Sequence, residues 1–389
     1  MIARIRCETT FYNILSSLFT NKGYKLKLKK ELIGYFKVKN VILTQAARVG
    51  LFYILKVLPH KKIFIPSYTC WVVVEAAKKA NKKIEFIDIN LKDYNLDINK
   101  LKKIITPNSI ILATHQFGIP CQIEELIILA KRYNCYVIED NAAAFGSEYK
   151  NKKTGSFSGA SIISFEYSKP FTCGKGGAIL FNDNILYNKV RKIYNQEVKK
   201  PNQIEAIKYL LFIQIYNLLT NLHVFSFFFP IFTKIIGLTS GIPRFNKKYQ
   251  NNLYKYDMAN IQAKLAYLNL KNIKNIIDKR EKIAQYYFKE LKNIQNIKLP
   301  AYPSYKSPVW MRFPFMIKNI DKIRFYRNCV KKGIDLAFTF SYSCDPKKNI
   351  SKNSHLAAKT TLNLPIYSQL NNKNLTKIKN TIIEVATLK

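Results

Sequence analysis

Acidic residues are scarce in this 389-residue chain: 24 Asp and Glu stand against 64 Lys and Arg, a formal net charge of +40. That imbalance favours anionic partners, either a nucleic acid or an anionic membrane surface. A blander reading is also open, because the cations are mostly Lys, spread through a chain also crowded with Asn and Ile. No nucleic-acid-binding signature accompanies them, so no nucleic acid is expected as a partner. Closely spaced cysteine pairs are lacking too. The seven cysteines (Cys7, Cys70, Cys121, Cys135, Cys173, Cys329, Cys344) are scattered and show no CxxC spacing. They argue for reduced thiols in a cytoplasm rather than a disulfide frame or a zinc site, and no metal is expected. The N-terminus has Arg4, Arg6 and Glu8 without a following apolar core, so no secretory signal is visible. No internal repeat stands out. With 48% hydrophobic and 13% aromatic residues, the composition excludes a disordered chain.

An uninterrupted membrane-spanning run is also missing. The most apolar stretch, 207–238, is broken by Gln214, Asn217, Thr220, Asn221 and His223, and by Pro230, which would end a helix. No acidic residue occurs between Glu205 and Asp257. Such a segment fits either a peripheral contact with the inner face of a membrane or an apolar insertion packed on the body or on a partner.

What is present is an alternation. Apolar runs at Val41–Thr44, Ile63–Ile65, Ile84–Ile89, Ser109–Thr114, Cys135–Glu139, Ser161–Phe165 and Ala178–Phe181 read as buried strands. Helix-like patterns at Val49–Val57, Trp71–Ala80 and Ile123–Tyr133 lie between them. This predicts an α/β fold, a mainly parallel seven-stranded sheet with helices on both faces. Residues 1–250 are expected to form this large domain, with 184–250 an apolar, basic insertion region. Residues 251–389 are expected to form a smaller α+β domain, with a strand at Val309–Ile317 and helices at Ile320–Lys332 and Leu375–Leu388. Ligands of such sheets bind beyond the carboxyl ends of the strands.

Three clusters fall at that rim. Glu139-Asp140 closes a buried strand, and a carboxylate there can pair with a protonated ring nitrogen, although an Asp after a strand more commonly caps a helix. Ser161–Pro170 carries Lys169 in a short turn, followed by Gly174-Lys175-Gly176-Gly177. A lysine so placed can condense with an aldehyde, whereas most lysines are solvated surface charges. Thr44-Gln45-Ala46-Ala47-Arg48 joins a strand to a helix whose N-terminus suits a phosphate, with Arg48 alternatively on a solvated face.

In order and spacing, the clusters resemble the DegT–StrS group of sugar aminotransferases, a branch of the fold-type I pyridoxal-phosphate enzymes. Ile65-Pro66-Ser67-Tyr68-Thr69, Glu85–Leu96, Thr114-His115-Gln116-Phe117-Gly118, Val137–Gly146, Ser164–Gly177, Met311-Arg312-Phe313-Pro314 and Leu362-Asn363-Leu364-Pro365 are each similar to stretches of that group. The likeness is weakest over 184–250.

The resemblance implies pyridoxal 5′-phosphate as cofactor. It makes Lys169 the residue that holds the cofactor and shuttles a proton, Asp140 the partner of the pyridinium nitrogen, and Ser164 a phosphate ligand. Ala47 and Arg48 replace a Gly-Thr pair at the phosphate. Trp71 is the candidate stacking ring, one position displaced. Lys255 occupies the place of an asparagine that reaches the phosphate from a partner subunit, which implies a homodimer with shared active sites. Ala143 replaces a glutamine that contacts the cofactor. Lysine at 169, where the sugar-dehydrating members carry histidine, favours aminotransfer. The expected reaction moves an amino group from an amino acid, expected to be glutamate, to a nucleotide-linked keto-sugar for surface polysaccharide. Arg312 is the candidate for the donor's carboxylate. The alternative is a catalytically inactive, membrane-associated binding protein on the same fold, motivated by Ala143 and the apolar insertion.

Overall fold

A computed structural model describes residues 1–20, 23–221, 224–229, 253–302 and 306–387. Seven strands form one sheet: β1 (Asn40–Thr44), β2 (Lys62–Pro66), β3 (Lys83–Ile87), β4 (Ile110–Thr114), β5 (Tyr136–Asp140), β6 (Ala160–Ser164) and β7 (Gly177–Phe181). Their spatial order is β1-β7-β6-β5-β4-β2-β3. Only β7 runs against its neighbours, paired antiparallel to both β1 and β6. All seven are five-residue segments rich in Ile, Val, Leu and Phe, as strands covered on both faces require. Each of the seven apolar runs read from the sequence falls on one of them.

Helices pack on both sides. One face holds the helix Ala47–Val57, with Val49, Leu51, Ile54 and Leu55 buried against Ile162 and Ile179 of the sheet. Gly50 belongs to this contact: a Cβ there would lie 2.7 Å from the Ile179 side chain. The other side carries the helices Tyr24–Phe36, Gln203–Leu219 and Asn260–Leu270, which share a core with Phe145, Phe165 and Phe171. The helix Asn260–Leu270 thus packs with the large body, although its sequence lies beyond residue 250.

A second sheet is antiparallel, β8 (Ile297–Lys298), β9 (Phe313–Ile317) and β10 (Thr361–Leu364) in the order β8-β9-β10. Its core joins Tyr287, Trp310, Phe313, Phe315, Phe325 and Ile378. The helices Lys322–Lys331 and Asn372–Thr387 fall where the sequence pattern places them, and the strand expected over 309–317 shortens to 313–317. Val309 instead donates its N–H to Gly118 O, and Arg312 its N–H to Phe117 O, in the large body.

The N-terminal segment ties the two bodies together. Ile2 bridges to Ile334. The Arg4 guanidinium forks onto both oxygens of Asp335 at 2.7 Å, with side chains 3% and 0% exposed. Glu8 accepts from Arg280 at 2.8 Å and from Ser368 through its N–H and hydroxyl. Such pairs are costly to break singly, because the surviving charge stays buried. Of the apolar stretch 207–238, residues 222–223 and 230–238 lie outside the described residues. Among the described residues no helix is long and apolar enough to cross a membrane.

Replacing one partner should therefore cost more than replacing both. In urea unfolding, Asp335→Ala is expected to lose about 3–5 kcal/mol. The double variant Arg4→Met/Asp335→Leu should recover most of that loss; equal losses in both would show that the pair carries no unpaired-charge penalty.

Candidate active site

The carboxyl ends of β1, β5 and β6 face a cavity of about 390 Å³ closed on its far side by the smaller body. Ala46, Ala47 and Arg48 enter it from the turn after β1, Trp71 from the helix Trp71–Lys79, and Asp140 and Ser164 from the ends of β5 and β6. Glu166, Lys169, Lys175 and Gly176 come from the loop between β6 and β7. Met311, Arg312 and residues 337–340 complete the wall. Seven of the residues expected at the site, Ala47, Arg48, Trp71, Asp140, Ser164, Lys169 and Arg312, thus meet in one place. Lys255 does not join them: it is exposed beside Phe52, Tyr53, Lys79 and Tyr254. Ala142 rather than Ala143 lines the cavity.

The adjacent carboxylates at the end of β5 point to opposite faces, as successive strand residues must. Glu139 turns away from the cavity and accepts from five donors. These are the N–H groups of Gly155 (2.6 Å), Phe157 (2.8 Å) and Ser158 (2.8 Å), the Ser158 hydroxyl (3.0 Å) and His115 Nε2 (3.2 Å). Since His115 Nδ1 accepts the Cys121 N–H, the ring donates to Glu139 from Nε2. Burial opposes the Glu139 charge, but the His115 bond and the Ser158 and Gly155 N–H groups outweigh it and hold its pKa below the ordinary value. Asp140 has one such donor, Ala142 N–H at 3.1 Å. Burial dominates there and raises its pKa, against the pull of that bond and of Lys169. A buried carboxylate with so few donors is poised for a cationic partner inside the cavity.

Lys169 Nζ lies 3.2 Å from Met311 Sδ. Burial pulls its pKa down, Glu166 opposes that shift, and Arg312 adds to it. A depressed amine pKa increases the neutral, nucleophilic fraction. Arg312 is also buried; one nitrogen of its guanidinium donates to the Ser168 and Met311 carbonyls, at 3.1 and 2.9 Å. Burial and the nearby Arg280 lower its pKa to about 10, still charged at neutral pH. With no carboxylate ion pair among the described residues, it can take one from a ligand.

At the opposite end, the helix Ala47–Val57 starts at Ala46 without a side-chain cap. Its first N–H groups and the helix dipole face the cavity, the arrangement that binds phosphate. Ser164 supplies a hydroxyl beside it. Gly177 allows the approach: a Cβ there would lie 2.5 Å from Ala47 N. Arg48 is engaged elsewhere, 3.2 Å from Glu75 and with its guanidinium 5.4 Å from the centre of the Trp71 ring. An uncapped helix, a free hydroxyl, an under-satisfied carboxylate and a buried amine fit the phosphate, ring nitrogen and aldehyde of pyridoxal phosphate. Three contributors carried no local signal. Ile5, Phe340 and Tyr342, whose hydroxyl accepts the Trp71 N–H at 3.1 Å, arrive only through tertiary folding.

The network at Glu139 has a pH signature. Its depressed pKa gives stability that is full above the unfolded-state value and is lost as pH falls through the folded one. Glu139→Gln is expected to cost about 3 kcal/mol at neutral pH, since a neutral amide cannot accept from all five donors. The gap between the two proteins should narrow on acidification in a urea-unfolding series; a gap constant with pH would exclude a charged Glu139.

Comparison with known proteins places the chain in a family. The DegT/DnrJ/EryC1/StrS aminotransferase family matches residues 8–217 and 234–383. An uncharacterized protein of Methanocaldococcus jannaschii is 24% identical over 93% of this chain and 90% of its own length. The UDP-4-amino-4,6-dideoxy-N-acetyl-beta-L-altrosamine transaminase of Campylobacter jejuni is 24% identical over 92% of this chain and 89% of its own. Among solved structures, Helicobacter pylori PseC, an aminotransferase involved in the biosynthesis of pseudoaminic acid, superposes with a TM-score of 0.78 at 18% identity, covering 98% of this chain and 99% of PseC. With the family matched along nearly its whole length, this chain belongs to the DegT/DnrJ/EryC1/StrS aminotransferases and is a pyridoxal-phosphate-dependent transaminase.

Proposed function

We propose that this cavity transfers an amino group from glutamate to a keto group on a nucleotide-linked sugar, as a step toward surface polysaccharide. The observation that carries the reading is the meeting of Lys169, Asp140 and Arg312 in one buried cavity. The C. jejuni relative is named for a UDP-linked sugar, and a 35% identical relative over a third of this chain is GDP-perosamine synthase of Escherichia coli O157:H7.

The cofactor supplies an electron sink for the bonds at the substrate carbon. Every other task falls to the chain. Asp140, anionic beside a ring nitrogen, keeps that nitrogen protonated. Lys169 would hold the cofactor through its aldehyde and, in each half-reaction, carry a proton at Nζ between the substrate carbon and the cofactor. Its depressed pKa enlarges the neutral fraction of the amine, the form that acts as a base. Trp71, with the Arg48 guanidinium 5.4 Å from its ring centre, would stack on the cofactor ring, and the N-terminus of the helix Ala47–Val57 and the Ser164 hydroxyl would take the phosphate. Arg312 takes the donor's α- or side-chain carboxylate at the wall formed by the smaller body.

A large domain with an insertion at 184–250, a small domain over 251–389 whose first helix, Asn260–Leu270, packs on the large body, a cytoplasmic location and a homodimer with shared active sites complete the proposal. Lys255, exposed on the single chain, would then serve a partner's site. Exposed Ile204, Ile207, Leu211, Ile215 and Leu218 on the helix Gln203–Leu219 support a peripheral contact with an anionic bilayer. Flotation with anionic vesicles tests it, and binding unchanged by Leu211→Lys/Ile215→Lys would remove it.

The absorption spectrum with added pyridoxal phosphate tests the centre of the reading. Wild type should show a visible band that glutamate bleaches, and Lys169→Ala should show no band. A wild type without the band would leave only an inactive binding protein on this fold. Separately, Arg312→Met should raise the KM for glutamate about 10- to 100-fold with the acceptor KM unchanged. Equal effects on both substrates would remove Arg312 from donor recognition.

A further inference from the structure

Four cationic side chains reach the cavity: Arg48, Lys169, Lys175 and Arg312. Three of them have an occupation. Arg48 pairs with Glu75 and lies over Trp71. Lys169 rests against Met311, and Arg312 is held by two carbonyls at the wall of the smaller body. The Lys175 ammonium, by contrast, makes no hydrogen bond or ion pair among the described residues, although the side chain lines the cavity and is only partly exposed.

Its backbone fixes which end of the cavity it serves. Lys175 immediately precedes Gly176-Gly177, and Gly177 pairs with Thr44 on β1 and with Ser164 on β6. The same Gly177 is the residue whose Cβ would strike Ala47 N. The Lys175 loop is further pinned from outside, since Gln262 donates to the Lys175 carbonyl and the Cys173 thiol does likewise. Lys175 therefore sits beside the uncapped helix start and the Ser164 hydroxyl, away from the Met311–Arg312 wall.

An anion at that end meets the Ala47 and Arg48 N–H groups, unpartnered among the described residues, and the Ser164 hydroxyl, all neutral donors. A phosphate dianion in a poorly solvated pocket needs a counter-charge. We propose that Lys175 is that counter-charge, anchoring the phosphate of the cofactor, while Arg48 acts on the site indirectly by orienting Trp71. The assignment rests on the reading that the cavity holds pyridoxal phosphate through Lys169. It also revises the division of labour expected from the sequence, in which Arg48 contacted the phosphate. Burial lowers the Lys175 pKa with Glu166 opposing and Arg48 adding to the shift, so an adjacent dianion would restore its charge. A competing role exists. Glu166 and Glu205 both act on Lys175 electrostatically, and a side chain that only held the loop would leave the two compounds below equally affected.

Comparing pyridoxal phosphate with pyridoxal, which lacks the phosphate, separates the two roles. Apo protein, as wild type, Lys175→Met, Lys175→Arg and Arg48→Met, is titrated with each compound, following the visible band and tryptophan fluorescence. Lys175→Met should bind pyridoxal phosphate about 10- to 100-fold more weakly, the span of one charge-assisted hydrogen bond, and bind pyridoxal as wild type does. Lys175→Arg should recover most of the loss. Arg48→Met should affect both compounds in parallel. The phosphorus resonance of bound cofactor, independent of turnover, should shift in Lys175→Met. Parallel loss of both compounds in Lys175→Met, or a phosphate-selective loss in Arg48→Met instead, overturns the assignment while leaving the cofactor reading intact. A wild type that forms no Lys169-dependent band with either compound overturns the cofactor reading, and this assignment with it.

Discussion

Burying a carboxylate at the centre of a sheet is tolerable only if its lone pairs are filled, and Glu139 fills them with five donors. Three are backbone N–H groups of the turn at 155–158, so one side chain locks the end of β5 to the chain that enters β6. His115 locks β4 to the same point. The end of β5 lies in the floor of the cavity. Asp140 is positioned by a neighbour held by five hydrogen bonds, and it can remain under-satisfied because Glu139 carries the structural role. Two adjacent carboxylates thus divide stability from chemistry, one with a depressed pKa and the other with a raised one.

The cavity is a seam between bodies. The large sheet contributes the carboxylate, the amine and the helix start, which form a site for a flat, phosphorylated, cationic ring. The smaller body contributes Met311, Arg312 and the 337–340 segment. Arg280 links the two halves: it donates to the Trp310 and Met311 carbonyls while paired with Glu8. Arg312 is therefore positioned by a second buried arginine, whose charge also lowers its pKa. A carboxylate bound beside Arg312, as proposed for the amino donor, would relieve part of that repulsion.

Most of the fold was legible because strands covered on both faces are short, continuous apolar runs, and all seven stood out. The core of the site was legible for a related reason: residues just after those runs must lie at the ligand rim. What escaped reading is long-range. Nothing near Arg48 in the sequence announces that Glu75 and Trp71 will occupy it. Lys175 is one lysine among many until Gly177 is seen against Ala47. The helix Asn260–Leu270 reads as the start of a new domain, yet Leu265 and Ala266 are buried in the older core. Phe340 and Tyr342 carry no motif, and only tertiary folding delivers them. The paired acids at 139 and 140 were noticed together, but which one faces the ligand follows from strand direction.

The buried pairs Arg4–Asp335 and Glu8–Arg280 join residues 331 and 272 positions apart. During synthesis the first segment leaves the ribosome long before its partners exist. Until they arrive, Arg4 and Glu8 must wait in water, and the Ile5 flank of the cavity stays unmade. Closing loops of such length costs entropy that only the finished core repays. The nascent chain can assemble its large sheet early, but it gains a cofactor pocket only once residues 311–340 have been added.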